Sequence, residues 1–136
     1  SKIHHPLDGF GFLVPEKEKL SILGTLFSST IFPSRAPDGK VLLTTFIGGE
    51  RNPDLSLKDD NYLKEMVRNE LAKLIGLQGN PEFFHVKRWP YSIPLPDYKM
   101  NIRKRAAEAL SLANEGLTFS GSAFTGVSLP NCIDLN

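Results

Sequence analysis

An α+β fold, with helices against one side of a mainly antiparallel sheet, follows from three features of this 136-residue sequence. Three apolar runs come first, joined by short links rich in glycine, proline and charge, as in a meander of consecutive strands. A long stretch with helical periodicity follows. After it, strand-like and helix-like segments alternate, giving the order βββ–α–β–α–β.

The first strand is expected over Gly9-Phe10-Gly11-Phe12-Leu13-Val14 and ends at Pro15. Its glycines alternate with Phe10 and Phe12, which suits a strand that something packs closely against. Glu16 to Lys19 reads as a charged turn, and Leu20 to Phe27 as a second strand paired antiparallel with the first. Pro33, Pro37 and Asp38-Gly39 punctuate a connection. The third strand, Lys40 to Ile47, stops at Gly48-Gly49; no Lys-Ser/Thr pair and no helix follow, so a phosphate-binding loop is the weaker reading.

Asp59 to Ile75 reads as a helix, with Leu63, Met66, Val67, Leu71, Leu74 and Ile75 on one face. Asp59 and Asp60 favour its start, and Gly76 its stop. Glu82 to Trp89 reads as a fourth strand, with Phe84 and Val86 on one face and Phe83, His85, Lys87 and Trp89 on the other. The prolines of Tyr91 to Pro96 exclude a helix there. A second helix is expected from Met100 to Ala113, with Ile102, Ala106, Ala109, Leu110 and Ala113 inward and Lys99, Arg103, Lys104 and Arg105 outward. Leu117 to Phe119 would be a last strand, followed by Gly121, a small-residue loop and a helix opening around Pro130. Ser128 and Leu129 then sit at the mouth of that helix, where amide donors and the dipole favour negative charge.

Composition narrows the function classes. A net charge of +1 supplies no field to attract nucleic acid. No apolar run is long enough to span a bilayer, although peripheral contact with a membrane stays open. The three histidines, His4, His5 and His85, show no paired ligand spacing, so no metal is expected. The one cysteine, Cys132, fits a small buried hydrophobe better than a nucleophile. No acid, base or nucleophile stands out as catalytic. Trp89 suits either a core anchor or a flat wall beside an aromatic ligand. Both ends look cut, Ser1 without a start methionine and the last helix barely opened at Asn136, so a piece of a longer protein is expected.

Taken in order, several stretches resemble the C-terminal part of the protoporphyrinogen oxidases, flavin-dependent members of the amine-oxidase superfamily. They are Gly9 to Pro15, Leu23 to Ser29 with Phe32 to Pro37, Leu42 to Gly49, Trp89 to Pro94, and Gly126-Val127-Ser128-Leu129-Pro130-Asn131-Cys132-Ile133. The resemblance implies a two-part enzyme that holds FAD and oxidises a porphyrinogen by hydride transfer to the flavin. Residues 1–115 would supply the sheet that covers the substrate, and residues 116–136 a strand–loop–helix returning to the flavin. The implied cofactor-facing positions are Trp89, Gly121, Ser122, Gly126, Val127, Ser128 and Leu129.

The partners implied are a porphyrinogen and the rest of the same polypeptide, in a cytoplasmic or peripheral-membrane protein. Three departures stand beside this. No Gly-x-Gly-x-x-Gly follows a strand; Ser122 occupies a place where the family has Asn or Asp; and Lys99-Met100-Asn101 replaces an expected Gly-His. Another flavin oxidoreductase, such as an amine oxidase or a carotenoid desaturase, and a sheet-and-helix binding module without redox chemistry remain the rival readings.

Overall fold

The computed structural model describes residues 2–90, 98–124 and 128–133. The chain forms two compact units, residues 1–88 and 89–136. The first unit is built on a three-stranded antiparallel sheet of β1 (Gly11–Leu13), β2 (Ile22–Leu26) and β3 (Thr44–Ile47), in the order β1-β2-β3. The expected meander is therefore present. Its register pairs Leu13 with Gly24 and Gly24 with Phe46, then Gly11 with Leu26 and Leu26 with Thr44. A bulge between Ile22 and Gly24 interrupts the β2–β3 ladder. A short helix α1 (Ser28–Ile31) and, among the described residues, three short 3-10 helices lie in the links between elements.

Strand alternation sends Phe12, Thr25 and Thr45 to the inner face, where the two threonine hydroxyls hydrogen-bond at 3.0 Å. Helix α2 (Asp60–Ile75) contributes Leu71 and Ile75 to the core, with Ile22, Phe27, Val14, Ile3 and Leu7. Both ends of α2 follow from the sequence. Asp59 caps the start, its carboxylate accepting from the Tyr62 amide at 3.0 Å, and Gly76 ends it in the left-handed conformation at φ 65°. A Cβ on Gly76 would fall 2.8 Å from His4 Cβ, because residues 2–5 lie against this helix end. The His5 amide donates to the Ile75 carbonyl there, and the Gln78 amide to the Lys2 carbonyl.

One expectation about α2, that Leu74 faces inward, needs correction, and one buried residue was not singled out. Leu74 is exposed, whereas Glu70 is buried. The Glu70 carboxylate accepts from the amides of Ser21 (2.8 and 3.1 Å) and Ile22 (2.9 Å), where β2 begins. The bulge and the strand start leave those two donors without ladder partners, and a carboxylate within the apolar stripe meets both.

The expected fourth strand is absent: residues 83–89 join no ladder among the described residues. The alternation itself survives, with Phe84 and Val86 half-buried and Phe83, His85 and Lys87 exposed. Arg88 instead ties the segment down, donating to the carbonyls of Ser56 (3.0 Å) and Lys58 (2.6 Å) and pairing with Asp60 at 2.7 Å. Tyr91 to Pro96 lie outside the described residues.

At the other end of the same segment, Lys40 pairs with Glu82 at 2.5 Å. The Lys40 hydrogen bond and charge hold the Glu82 carboxyl below its ordinary value. A group depressed in this way adds stability above the ordinary carboxylate range, and that contribution is lost as pH falls through the lowered pKa. Lys40→Met is expected to move the Glu82 titration upward in a carboxyl NMR titration. An unmoved titration would show that the pair does not form in solution.

In the second unit, helix α3 (Met100–Ala113) is where the sequence places it, but its phase is not. Ala107 is its buried residue, while Ile102, Ala106, Ala109, Leu110 and Ala113 are exposed. Periodicity shows which side chains share a face, not what lies opposite it. The expected strand over Leu117 to Phe119 is also absent among the described residues. A turn follows α3 instead, with the Leu117 amide donating to the Asn114 carbonyl at 3.1 Å.

Candidate functional site

Two surfaces carry the functional argument, one in each unit. The first is the outer face of the sheet. Opposed residues in a ladder share a face, so Leu13, Gly24 and Phe46 form one row and Gly11, Leu26 and Thr44 the next. Leu13 is 85% and Phe46 50% exposed, and Phe10 just before β1 is 68% exposed. The two glycines flatten this surface. A Cβ on Gly24 would fall 2.9 Å from Leu13 Cδ2 and 2.5 Å from the Phe12 carbonyl oxygen. Leu13 thus leans across the space a side chain at 24 would take. The result is a flat apolar wall with aromatic edges and hydroxyls at one end, where Ser28 and Thr44 hydrogen-bond at 2.7 Å.

None of these wall residues was among the sequence-derived candidates. The signal for them is that β1 and β3 carry apolar side chains on both faces: Phe12 inward with Leu13 outward, Ile47 inward with Phe46 outward. A strand that is apolar on both sides is built to be covered on both sides.

The second surface is the loop ahead of α4 (Leu129–Ile133), in the second unit. Gly121 to Phe124 form a turn closed by the Phe124 amide on the Gly121 carbonyl at 2.9 Å. The rings of Phe119 and Phe124 pack at 5.6 Å between centroids. The Ser120 hydroxyl donates to the Cys132 carbonyl, and the Cys132 amide to the Ser128 carbonyl at 3.1 Å. These bonds tie the two ends of the loop together and set the first turn of α4. Pro130 stands second in that helix, where its missing N–H costs no helical hydrogen bond.

Of the sequence-derived candidates, Gly121, Ser122, Ser128 and Leu129 belong to this loop. Gly121 and Ser122 are half-buried; Ser128 and Leu129 are exposed. Gly126 and Val127 lie outside the described residues. Trp89 opens the second unit with its indole 68% exposed. Gly121 has φ 116°, which glycine adopts without the usual Cβ penalty, and among the described residues nothing lies within 4 Å of the place its Cβ would take. Among the described residues, no group of three or more His, Cys, Asp or Glu side chains could hold a metal.

The class is shown by the sequence: residues 2–134 match the family of flavin containing amine oxidoreductases, and this chain belongs to that family. Within it, the chain is 38% identical over 130 residues to the mitochondrial protoporphyrinogen oxidase of Nicotiana tabacum, covering 93% of this chain and 26% of that protein. It is 31% identical over 130 residues to the coproporphyrinogen III oxidase of Bacillus subtilis, covering 93% of this chain and 27% of the relative. A crystal structure described as "Putative protoporphyrinogen oxidase" from Exiguobacterium superposes with a TM-score of 0.70 at 27% identity, covering 94% of this chain and 28% of that one. The chain spans about a quarter of the length of the relatives it matches.

Proposed function

We propose that this chain is part of an FAD-dependent porphyrinogen oxidase, acting on protoporphyrinogen or coproporphyrinogen. Residues 1–115 supply the sheet that covers the substrate and residues 116–136 the segment that returns to the flavin. The observation that carries the reading is the similarity over 93% of the chain to porphyrinogen oxidases of both a plant and a bacterium.

The outer sheet face supports it chemically. A porphyrinogen is a broad macrocycle whose pyrroles are apolar over their faces, and the wall of Leu13, Leu26 and Phe46 offers matching contact. Burial against such a wall holds the ring in one pose and keeps water from the carbon that loses hydrogen.

The loop residues fit an isoalloxazine ring. Among the described residues nothing stands within 4 Å of the place a Cβ at Gly121 would take, which suits the approach of a flat ring, and α4 opens at Ser128 and Leu129, where backbone amides start a helix. Gly121, Ser122, Gly126, Val127, Ser128 and Leu129 would line the flavin, with Trp89 as a flanking wall. FAD would supply the hydride acceptor. This chain's part is orientation, exclusion of water and stabilisation of negative charge by backbone amides; no side chain here acts as acid or base.

No helix among the described residues is long and apolar enough to cross a membrane. Cytoplasmic or peripheral-membrane placement of the whole protein belongs to the same proposal.

The test uses the polypeptide encoded by the complete reading frame containing this sequence. It is expected to purify yellow, to release FAD on denaturation, and to convert a porphyrinogen to fluorescent porphyrin. Phe46→Ala is expected to raise KM about tenfold, the loss of part of one buried aromatic contact, with flavin content unchanged. A folded but colourless protein would overturn the reading, as would oxidation of amines with no porphyrin formed.

A further inference from the structure

Leu7 stands in the left-handed region at φ 54° although it is not glycine, and its side chain is buried in the core. That conformation is disfavoured for a residue with a Cβ and persists where its surroundings hold it. Side chains meet both backbone polar groups of Leu7. Its amide donates to His5 Nδ1 at 2.9 Å, and its carbonyl accepts from the Thr30 hydroxyl at 2.8 Å. His5 is placed for this by its own amide, which donates to the Ile75 carbonyl at 3.2 Å, and by its ring, which packs on Phe27 at 5.4 Å between centroids. Beyond the turn, the Phe10 carbonyl accepts from the Phe27 amide at 3.0 Å and β1 begins at Gly11. The turn therefore sets how the chain enters the strand that carries Leu13 in the wall.

Resting on the function proposed above, we infer that His5 is a positioning residue for substrate binding: its imidazole, as a hydrogen-bond acceptor, holds the turn at Leu7 that leads into the wall. An imidazole nitrogen accepts only while it carries no proton, so the neutral ring makes this bond and the imidazolium cannot. His5 is exposed, so solvent protons reach it. Histidine as a class changes charge over about pH 5 to 8, so the bond is present at the upper end of that span and lost toward the lower. The charged or titratable groups on the elements around the ring are Lys2, His4 and Asp8 in its own segment and Lys73 in the last turn of α2. α1, which brings Thr30, and β2, which leads to Phe27, carry none. These groups bear on where in the span the ring changes charge, not on which form of it can accept.

The test uses the complete polypeptide and two variants. His5→Asn supplies an oxygen that accepts from the amide two residues on, as in an Asx-turn, and does not titrate. His5→Phe keeps an aromatic ring beside Phe27 and has no acceptor. At about pH 8, the parent and His5→Asn are expected to protect the Leu7 amide from exchange about tenfold better than His5→Phe, the factor of one hydrogen bond. KM for the porphyrinogen is expected to be about fivefold higher in His5→Phe at that pH, with kcat and flavin content unchanged. Toward about pH 5 the parent's KM is expected to converge on that of His5→Phe, while His5→Asn keeps its advantage.

A ratio of parent to His5→Phe KM that ignores pH would overturn the inference, as would a His5→Asn variant that behaves like His5→Phe. Loss of Leu7 protection with KM unchanged would confine His5 to the turn and overturn it equally. Should His5→Phe fail to fold, parent and His5→Asn carry the test: their KM values are expected to agree at the upper end of the span and part toward the lower, and parallel profiles would sink the idea. Failure of the functional reading shows separately, as a colourless polypeptide forming no porphyrin; the substrate role falls with it, while the Leu7 amide still reports whether His5 holds the turn.

Discussion

Replacing Gly11 by alanine is expected to break the β1–β2 pairing and cost about 3 kcal/mol, combining strain at a disfavoured backbone conformation with overpacking. Gly11 has φ 146°, and a Cβ there would fall 2.2 Å from the Thr25 carbonyl oxygen and 2.8 Å from Leu26 Cα. Both obstacles are backbone, so no side chain can rotate away and the strands must separate. Gly9→Ala is the matched control. Among the described residues nothing lies within 4 Å of a Cβ at Gly9, so its stability is expected to stay within about 0.5 kcal/mol of the parent. Urea unfolding with amide exchange at β2 measures both. A Gly11→Ala chain as stable as the Gly9→Ala chain would show that β1 does not pair in this register.

Glu70→Ala is the second large effect, expected at about 3 kcal/mol, from the loss of charge-assisted hydrogen bonds and the stranding of buried amides. Glu70 is 9% exposed, and Ile22, one of the two residues whose amides it receives, is fully buried. Truncation leaves the Ser21 and Ile22 donors without an acceptor at the start of β2. Glu70→Gln keeps one acceptor oxygen and is expected to cost about half as much. The local signature is faster exchange at the Ile22 amide ahead of any change in α2. If alanine and glutamine destabilise equally and Ile22 exchange is unchanged, the carboxylate is not what holds β2.

What could be read from the sequence was whatever local chemistry decides. Asp59 and Gly76 are cap residues by their own side-chain and backbone properties, and α2 lies between them as expected. The first two strands were legible because a short link favours antiparallel pairing, whereas β3 follows a longer connection holding α1 and was legible from its own apolar run. Residues 82–89 and 117–119 carry strand-like patterns too, but a ladder needs a second backbone, and none of the described residues supplies one. The phase of α3 failed for a related reason: its apolar stripe was assigned to the interior, and the buried position is Ala107. Glu70 was overlooked although it sits at helical spacing within the apolar stripe of α2, where a carboxylate must find donors. In the candidate site, the glycine, the small-residue loop and the helix opening around Pro130 were read from residue types alone, and the family resemblance supplied their proposed role beside a flavin. The wall of Leu13, Leu26 and Phe46 emerged only once the register showed which residues share a row.

The glycine at the centre of that wall limits how the surface can diverge. A methyl group at Gly24 would collide with the Phe12 carbonyl oxygen, so the depth of the wall cannot change without disturbing the strand beside it. Descendants of this sequence that adapt to a bulkier or slimmer ring must therefore do so at the margins, through Leu13, Leu26, Thr44 and Phe46. Variation among them should gather at the rim around an unchanging centre.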